Sequence, residues 1–501
     1  MKHPVHGAKH YHVNIELIEF ARRTNIPVPT DYGLAQVNIQ MLKNDFAKFK
    51  RSNPWWPNEI AFNNAKQAFL KIFSFELQNS EVLSFDEAVQ LMEKSTSPGF
   101  PWNKQHQTKK ECLECRGDEV RLKVENIFKG IWEQVLWQVS PKVEIRTYEK
   151  LSVDKKQRTF MSGDIVFQIV GMMLYYDMNQ KFLKLCDSEQ HWSALGLTQF
   201  YGGWHKLADH LSSQNYAQDM LCFDISAMEA SVNSDIQEFL YTELRHEALD
   251  DEDLVHAKEF YLVNMIYSLL VDPEGILTMK FGGNPSGAYN TLSDNTMVVI
   301  LTLLYNVACV YDDIPKIIEY YSEHPTKVLG DDTITSKDEI SMLYPEHAKD
   351  LGFKVTYECE PCPLRQSTFL SNGWLWDDAH AMYVPKPNVG KLFANIFYNR
   401  KANSWRLVYA KLCGMRILLF PMKHYRIMID NMLHFIQEKY VYELKNEDFD
   451  KISYAQLLTM RLTDADTKFL IYGGESCGSA DKYKTANKVL IQCLSLLSND
   501  I

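Results

Sequence analysis

The stretch that most constrains the fold is Lys327-Val328-Leu329-Gly330-Asp331-Asp332-Thr333-Ile334-Thr335. Apolar Val328 and Leu329 run into Gly-Asp-Asp, and Thr333, Ile334 and Thr335 carry the chain away as β-formers. That is the pattern of strand, tight turn, strand. Gly330 frees the turn backbone and lets a bulky group approach. Two adjacent carboxylates repel each other and are poorly placed to be buried together without a counter-charge. A divalent cation supplies one, since Mg²⁺ is typically held by one or two carboxylates plus substrate phosphates. Asp is also an ordinary turn residue, so the partners elsewhere in the chain must decide.

A chain of 501 residues exceeds what one hydrophobic core usually organises, which predicts two or three subdomains. Hydrophobic content of 46% with 12% aromatics excludes disorder. The formal charge of −11 argues globally against a nucleic-acid binder. A global sum says little about a cleft, however, and local runs decide that question. Cys112 with Cys115 and Cys359 with Cys362 form two C-x-x-C pairs that could build a zinc site, but they lie far outside ribbon spacing. Free thiols in a reducing compartment are the expectation. The first residues lack the apolar centre of a signal peptide. The longest apolar run, Met297 to Val310, is too short to span a bilayer and reads as a buried helix. A soluble, intracellular chain without a transmembrane segment is expected.

Amphipathic helical patterns cover Val37 to Phe49, Asn64 to Phe75 and Phe85 to Glu93. Ser95-Thr96-Ser97-Pro98-Gly99-Phe100-Pro101-Trp102 specifies a rigid loop. It is either structural or a place where small residues let a nucleic-acid strand pass and hydroxyls meet phosphates. Between 142 and 158, Lys142, Arg146, Lys150, Lys155, Lys156 and Arg158 outnumber Glu144, Glu149 and Asp154. This segment starts as an alternating strand, and it suits either a triphosphate-lined cleft or a solvated edge. The apolar run Met220–Phe223 is a buried strand that delivers Asp224, a candidate third carboxylate for Asp331 and Asp332. Residues 233–247 look helical and lead into an exposed acidic run, Asp250 to Asp253.

Gly282, Gly283 and Gly287 make a pliable loop, and Thr291 and Asn295 follow on one face of a helix, directed at whatever the loop holds. Ser286 could equally be a plain N-cap. From Ala379 to Ile429 there is no acidic residue, while Lys386, Lys391, Arg400, Lys401, Arg406, Lys411, Arg416, Lys423 and Arg426 alternate with aromatics. Such a surface suits a phosphate backbone. A helix bundle with a basic exterior would explain the aromatics but not the missing acids.

In this order the pieces resemble the RNA-dependent RNA polymerases of positive-strand RNA viruses, within the picornavirus-like group. The resemblance spans about residues 95–400 and is closest in wording to the astrovirus-like branch. Ser95–Pro101 looks like the template loop (motif G), and Lys142 to Arg146 with Lys150 and Arg158 like the triphosphate-binding motif F. Asp224 falls at the metal aspartate of motif A. Ser286, Gly287, Thr291 and Asn295 match motif B, and Leu329–Asp332 is motif C. Leu351-Gly352-Phe353 resembles motif D, and Phe369–Gly373 motif E, the primer grip.

The resemblance implies an α+β, right-hand polymerase fold of fingers, palm and thumb with a central antiparallel palm sheet. Its expected division is 1–215 for fingers with an N-terminal extension, 216–385 for palm with a fingers insertion at about 250–285, and 386–501 for thumb. It further implies two Mg²⁺ ions, or Mn²⁺ in their place, roughly 3.5–4 Å apart. Asp224 and Asp331 would be the main ligands, with Asp332 supporting. Lys142, Arg146, Lys150 and Arg158 would bind the triphosphate, while Glu229, Ser286, Gly287, Thr291 and Asn295 would hold the nucleotide and read its ribose. Ser97, Gly99, Arg400, Lys401 and Arg406 would contact RNA. The implied partners are template and primer RNA, nucleoside triphosphates, a protein primer and other viral replication proteins. The implied location is a membrane-associated replication complex in the host cytoplasm, reached through partners.

Two departures stand out. Motif A usually carries a second aspartate where this chain has Glu229. Motif D usually offers a lysine to the leaving pyrophosphate; the matching place holds only Glu358 and Glu360, flanked by Lys354 and Arg365. A reverse transcriptase is the nearest rival enzyme, but it needs a bulky residue excluding the 2′-hydroxyl. A non-catalytic RNA-binding protein on this fold is the other rival, and intact Asp224, Asp331 and Asp332 speak against it.

Overall fold

The computed structural model describes residues 12–34, 38–50, 54–142, 144–153, 158–187, 191–212, 219–272, 274–399, 404–446, 454–473 and 487–492. The predicted hairpin forms: Thr326–Leu329 and Asp332–Ser336 pair antiparallel, with Asp332 opposite Leu329. Its second strand pairs antiparallel with Asp219–Ile225, Thr333 facing Phe223. That middle strand also takes Val355–Tyr357 and the short Cys362–Pro363 as antiparallel neighbours. The result is the five-stranded sheet at the centre of the molecule. Leu221, Cys222 and Phe223 are at most 1% exposed, as their apolar run predicts.

The reading of Met297 to Val310 as a buried helix holds as far as Ala308, where the helix Thr291–Ala308 ends; Val310 lies beyond it and is exposed. It packs on the strand Thr326–Leu329 and on the helix Glu59–Leu77. Each Leu, Ile or Val that it buries contributes about 1.5–3 kcal/mol. On its inner side Arg245 is fully buried and bonds Asp294 through Nε at 3.1 Å and Nη2 at 2.6 Å.

A second, four-stranded sheet runs in the order Thr159–Ser162, Trp137–Pro141, Tyr267–Val271, Leu277–Phe281. Its middle pair is parallel. The hairpin 267–281 therefore joins strands that precede it by more than a hundred positions. The other helical expectations appear as Ile39–Phe46, Phe85–Leu91 and Ser234–Phe239, the last running into a π-helical turn, Leu240–Arg245.

Helices Val389–Phe397, Trp405–Leu418 and Lys423–Lys439 build a separate core. Leu17, Ile18 and Ala21 of the first helix, Ile15–Arg23, belong to it, and Phe20 stacks on Phe435 at 4.2 Å between ring centroids. The first described helix is thus packed into the same core as helices near residues 389–439.

This core corrects the expectation for the acid-free stretch. Trp405–Leu418 is the central helix of the group, touching four other helices, and it turns cations inward. Arg406 and Lys411 are 1% exposed and Arg416 8%. The Arg406 guanidinium bonds the carbonyl of Asn446, and Arg416 bonds Asp430 at 2.8 Å and Asp464. The acids that balance the stretch lie beyond its end in sequence. Arg406 is therefore a structural residue rather than an RNA contact, and Arg400 and Lys401 lie outside the described residues.

Candidate active site

Asp331 sits in the turn of the hairpin, Asp332 begins its second strand, and Asp224 lies one residue beyond Phe223 on the neighbouring strand. The register alone brings the three carboxylates to one end of the sheet. Gly330 makes the turn with φ of +62°, and its N–H bonds Thr296 Oγ1 at 2.9 Å, tying the hairpin to the helix Thr291–Ala308. Glu358 joins just beyond the strand Val355–Tyr357, with its backbone N–H on the carbonyl of Cys222 at 2.9 Å.

Among the described residues no cation forms an ion pair with any of these four acids. The cost is visible in Asp332, whose carboxyl is pushed up to about 7 by burial, then by Asp331, Glu358 and Asp224. Glu358 is raised by burial in the cleft wall and by Asp224 and Asp331, with Lys150 opposing. A cluster of hard oxygen donors that suppresses its own ionisation matches what a divalent cation needs. Among the described residues no three Asp, Glu, His or Cys side chains are gathered tightly enough to hold a metal unaided. The donor set fits a cation whose shell is completed by substrate phosphates.

One end of the acid cluster opens on a cleft of about 660 Å³ that is also lined by Arg146, Lys150, Arg158, Arg365, Lys386 and Lys391. Asp332 and Glu358 line the same space. Three motif F cations share one counter-charge, the buried Glu144: Arg158 at 3.4 Å, Lys142 at 3.9 Å and Arg146 at 4.0 Å. Glu144 read in the sequence as one acid among many cations, yet it is the hub that keeps them side by side. Lys391 was read as part of a basic surface and instead lines the cleft; its pKa is lowered by burial and by Lys142, Arg158 and Lys150.

The loop before the helix Thr291–Ala308 is stitched to the four-stranded sheet and the helix that follows it. Ser286 Oγ accepts from Met161 N–H at 3.0 Å, and the Gly287 carbonyl accepts from Gln168. A Cβ on Gly287 would meet the Met161 carbonyl at 2.0 Å, so the approach requires glycine. Thr291 points back into the loop, donating to the carbonyls of Pro285 at 2.7 Å and Ala288 at 2.8 Å. It closes the loop, and Asn295, one turn further along the helix, is partly exposed. Gly99 packs against Gly163, while Ser97 is exposed and its Oγ accepts from the Gly99 N–H at 3.2 Å. Glu229 pairs with Lys48, a residue that the sequence patterns did not single out. Of the cysteines, Cys359 and Cys362 are neighbours with sulfurs 3.8 Å apart, and Cys112 and Cys115 lie on the helix Lys109–Phe128.

The motif order and this geometry agree with the comparisons. The profile described as viral RNA-dependent RNA polymerase matches residues 28–444. The chain belongs to that family. It is 24% identical over 447 residues to the genome polyprotein of Beet mosaic virus, covering 86% of this chain and 14% of the polyprotein. It is 25% identical over 391 residues to the non-structural polyprotein 1AB of Turkey astrovirus 1, covering 73% of this chain and 23% of the polyprotein. The chain thus spans less than a quarter of either relative. Its fold is similar to that of the Sicinivirus 3Dpol RNA-dependent RNA polymerase, with a TM-score of 0.66 and 16% identity over 92% of this chain and 98% of that one. The right-hand polymerase fold expected from the sequence is the fold observed.

Proposed function

We propose that this polymerase copies an RNA template by two-metal nucleotidyl transfer in the cleft between Asp224, Asp331 and the motif F cations. The observation that carries the reading is the uncompensated acid cluster around Asp332 facing a wall of Arg and Lys across one cavity. Two divalent cations, Mg²⁺ or Mn²⁺, would be held by Asp224 and Asp331 with Asp332 supporting; when bound they activate the primer 3′-hydroxyl and stabilise the leaving pyrophosphate. The protein's share is positioning and charge neutralisation, which is most of what phosphoryl transfer requires. Arg146, Lys150 and Arg158 meet the triphosphate, Lys142 supports them through Glu144, and Lys391 closes the thumb side. Ser286 and Gly287 fix the loop, and Glu229 and Asn295 face the ribose.

In this reading residues 1–215 act as fingers, 216–385 as palm with the insertion at about 250–285, and 386–501 as thumb. Ser97, Gly99 and, outside the described residues, Arg400 and Lys401 serve the RNA path. Template, primer, nucleoside triphosphates, a protein primer and other viral replication proteins are the partners, in the host cytoplasm. Among the described residues no helix is long and apolar enough to cross a membrane, so attachment to a membrane would run through those partners.

Primer extension on a homopolymeric template with each nucleotide and each metal tests this. Asp331→Asn removes one oxygen charge at the centre of the cluster and should abolish extension while RNA binding survives. Wild-type extension by Asp331→Asn would overturn the assignment.

A further inference from the structure

Lys280 is a buried lysine with no acid to pair with. Its side chain lies on the strand Leu277–Phe281 and is 2% exposed, and among the described residues no carboxylate forms an ion pair with it. Its Nζ donates instead to three backbone carbonyls, those of Gly282, Gly283 at 2.8 Å and Met265 at 3.3 Å. Burying an ammonium costs several kcal/mol unless its donors are satisfied, and here the carbonyls supply that compensation. Burial pulls its pKa down to about 7. Gly282 and Gly283 have φ of +63° and +71°, which turns both carbonyls toward the one ammonium. A Cβ on Gly283 would meet the Glu229 carbonyl at 2.7 Å, so the loop crosses motif A closely.

The next residue is Asn284, 1% exposed. Its Nδ2 donates to the Thr291 carbonyl at 3.3 Å and to Asn295 Oδ1 at 2.8 Å. A carbonyl can only accept, so the Asn284 atom facing Thr291 must be the amide nitrogen. That same nitrogen faces Asn295, so Asn295 must offer its oxygen inward. The Asn295 Nδ2 donors then take no part in the bond to Asn284.

We propose that Lys280 and Asn284 form a positioning relay for sugar selection: Lys280 fixes the Gly282–Gly283 backbone, and Asn284 holds the Asn295 amide with its donors toward the ribose 2′-hydroxyl. This rests on the cleft being the site of RNA synthesis. A site built to hydrogen-bond a hydroxyl rejects the analogue that lacks it, and the relay fixes which end of the Asn295 amide does so.

The test is incorporation efficiency for matched ribo- and deoxyribonucleotides on one primed template, using the full chain. In Asn284→Asp the carboxylate can only accept, so the Asn295 amide turns its nitrogen inward and presents an oxygen to the sugar, where it competes with the Glu229 carboxylate for the one 2′-hydroxyl hydrogen. The ribo-to-deoxyribo ratio should fall about tenfold, the worth of roughly one hydrogen bond. Asn284→Leu removes the donor without burying a charge and carries the test if the aspartate variant does not fold; it should lower the ratio in the same direction. Lys280→Met should also lower it. Equal losses for both sugars, with the ratio unchanged in the Asn284 variants, would mark a merely structural loop and overturn the relay. A wild-type chain that extends no primer overturns the reading of the cleft, and the relay with it.

Discussion

The Lys48 ammonium meets the Glu229 carboxylate across 181 positions of sequence. The same ammonium lies 3.1 Å from Asp45, whose carboxylate accepts from the Thr159 N–H at 2.8 Å and its hydroxyl at 2.7 Å. An N-terminal segment is thereby spliced between the finger strand that follows Arg158 and motif A. Glu229, one methylene longer than the family's aspartate, has a carboxylate that already has a partner.

Sugar reading and ion pairing at Glu229 can be separated by charge. Glu229→Gln keeps an acceptor oxygen but loses the ion pair; Glu229→Ala loses both. Lys48 and Glu229 side chains are 13% and 21% exposed, so losing the pair should cost about 1–3 kcal/mol of stability in both variants. Only Glu229→Ala should narrow the ribo-to-deoxyribo ratio, by roughly tenfold or more. Denaturant melts and incorporation ratios measure the two effects independently. A ratio unchanged in Glu229→Ala would leave Glu229 a structural partner of Lys48 and nothing more.

What was legible in the sequence was local. The hairpin around Asp331 and the strand carrying Asp224 were readable because strand, turn and carboxylate are contiguous. Glu229 was visible and Lys48 was not, because nothing near Lys48 hints at a partner so distant in sequence. The acid-free stretch misled for a different reason. Charge sign shows neither which way Arg406 points nor that the acids balancing Arg416, Asp430 and Asp464, come from later helices. The strand Leu277–Phe281 reads backwards: Leu277, Met279 and Phe281 are exposed and Lys280 is buried. Alternation finds two faces but assigns the apolar one inward, and here the carbonyls of Gly282 and Gly283 reverse that assignment.

Arg406→Ala follows from the inward reading. It should lower stability by about 1.5–3 kcal/mol, since it strips a bond from the Asn446 carbonyl and the packing of the buried arginine stem. The dependence of RNA binding on salt should not change. A slope made shallower by about one counterion would mean that the guanidinium reaches a phosphate after all.

Asp164 offers a pH dependence outside the metal cluster. It caps the helix Ile165–Lys184, accepting from the Val166 N–H at 2.8 Å and from Trp102 Nε1 at 3.2 Å. Burial outweighs both bonds and raises its carboxyl from 3.8 to about 7, with Lys123 lowering it slightly and Glu133 raising it. The folded state therefore holds this proton more tightly than the unfolded chain does. The stability it contributes is full below pH 3.8 and is lost as pH rises through about 7. The loss runs at about 1.4 kcal/mol per pH unit. Asp164→Asn keeps the acceptor and cannot ionise, so it should match wild type near pH 4 and exceed it by about 2–4 kcal/mol above pH 7. Urea melts of the two proteins at several pH values decide it; a gap independent of pH would show that the buried group stays ionised.

The pair beneath motif B sets the last expectation. Arg245 and Asp294 are 0% and 3% exposed, and Asp294 also receives the Tyr241 hydroxyl at 2.7 Å. Arg245 Nη1 reaches Asn179 Oδ1 at 3.2 Å, and Nη2 reaches Ser293 at 3.1 Å, so one guanidinium braces two helices behind Asn295. Removing one partner leaves the other as an uncompensated buried charge. Arg245→Met should therefore cost about 3–5 kcal/mol, and Asp294→Asn a comparable amount. The double variant has no charge left to strand, so its loss should fall well short of the sum. A double-mutant cycle by urea melts measures the difference, and strict additivity would refute the pair as a coupled unit. Because Asp294 precedes Asn295 on the same helix, the single variants should also slow incorporation of ribonucleotides more than the double variant does.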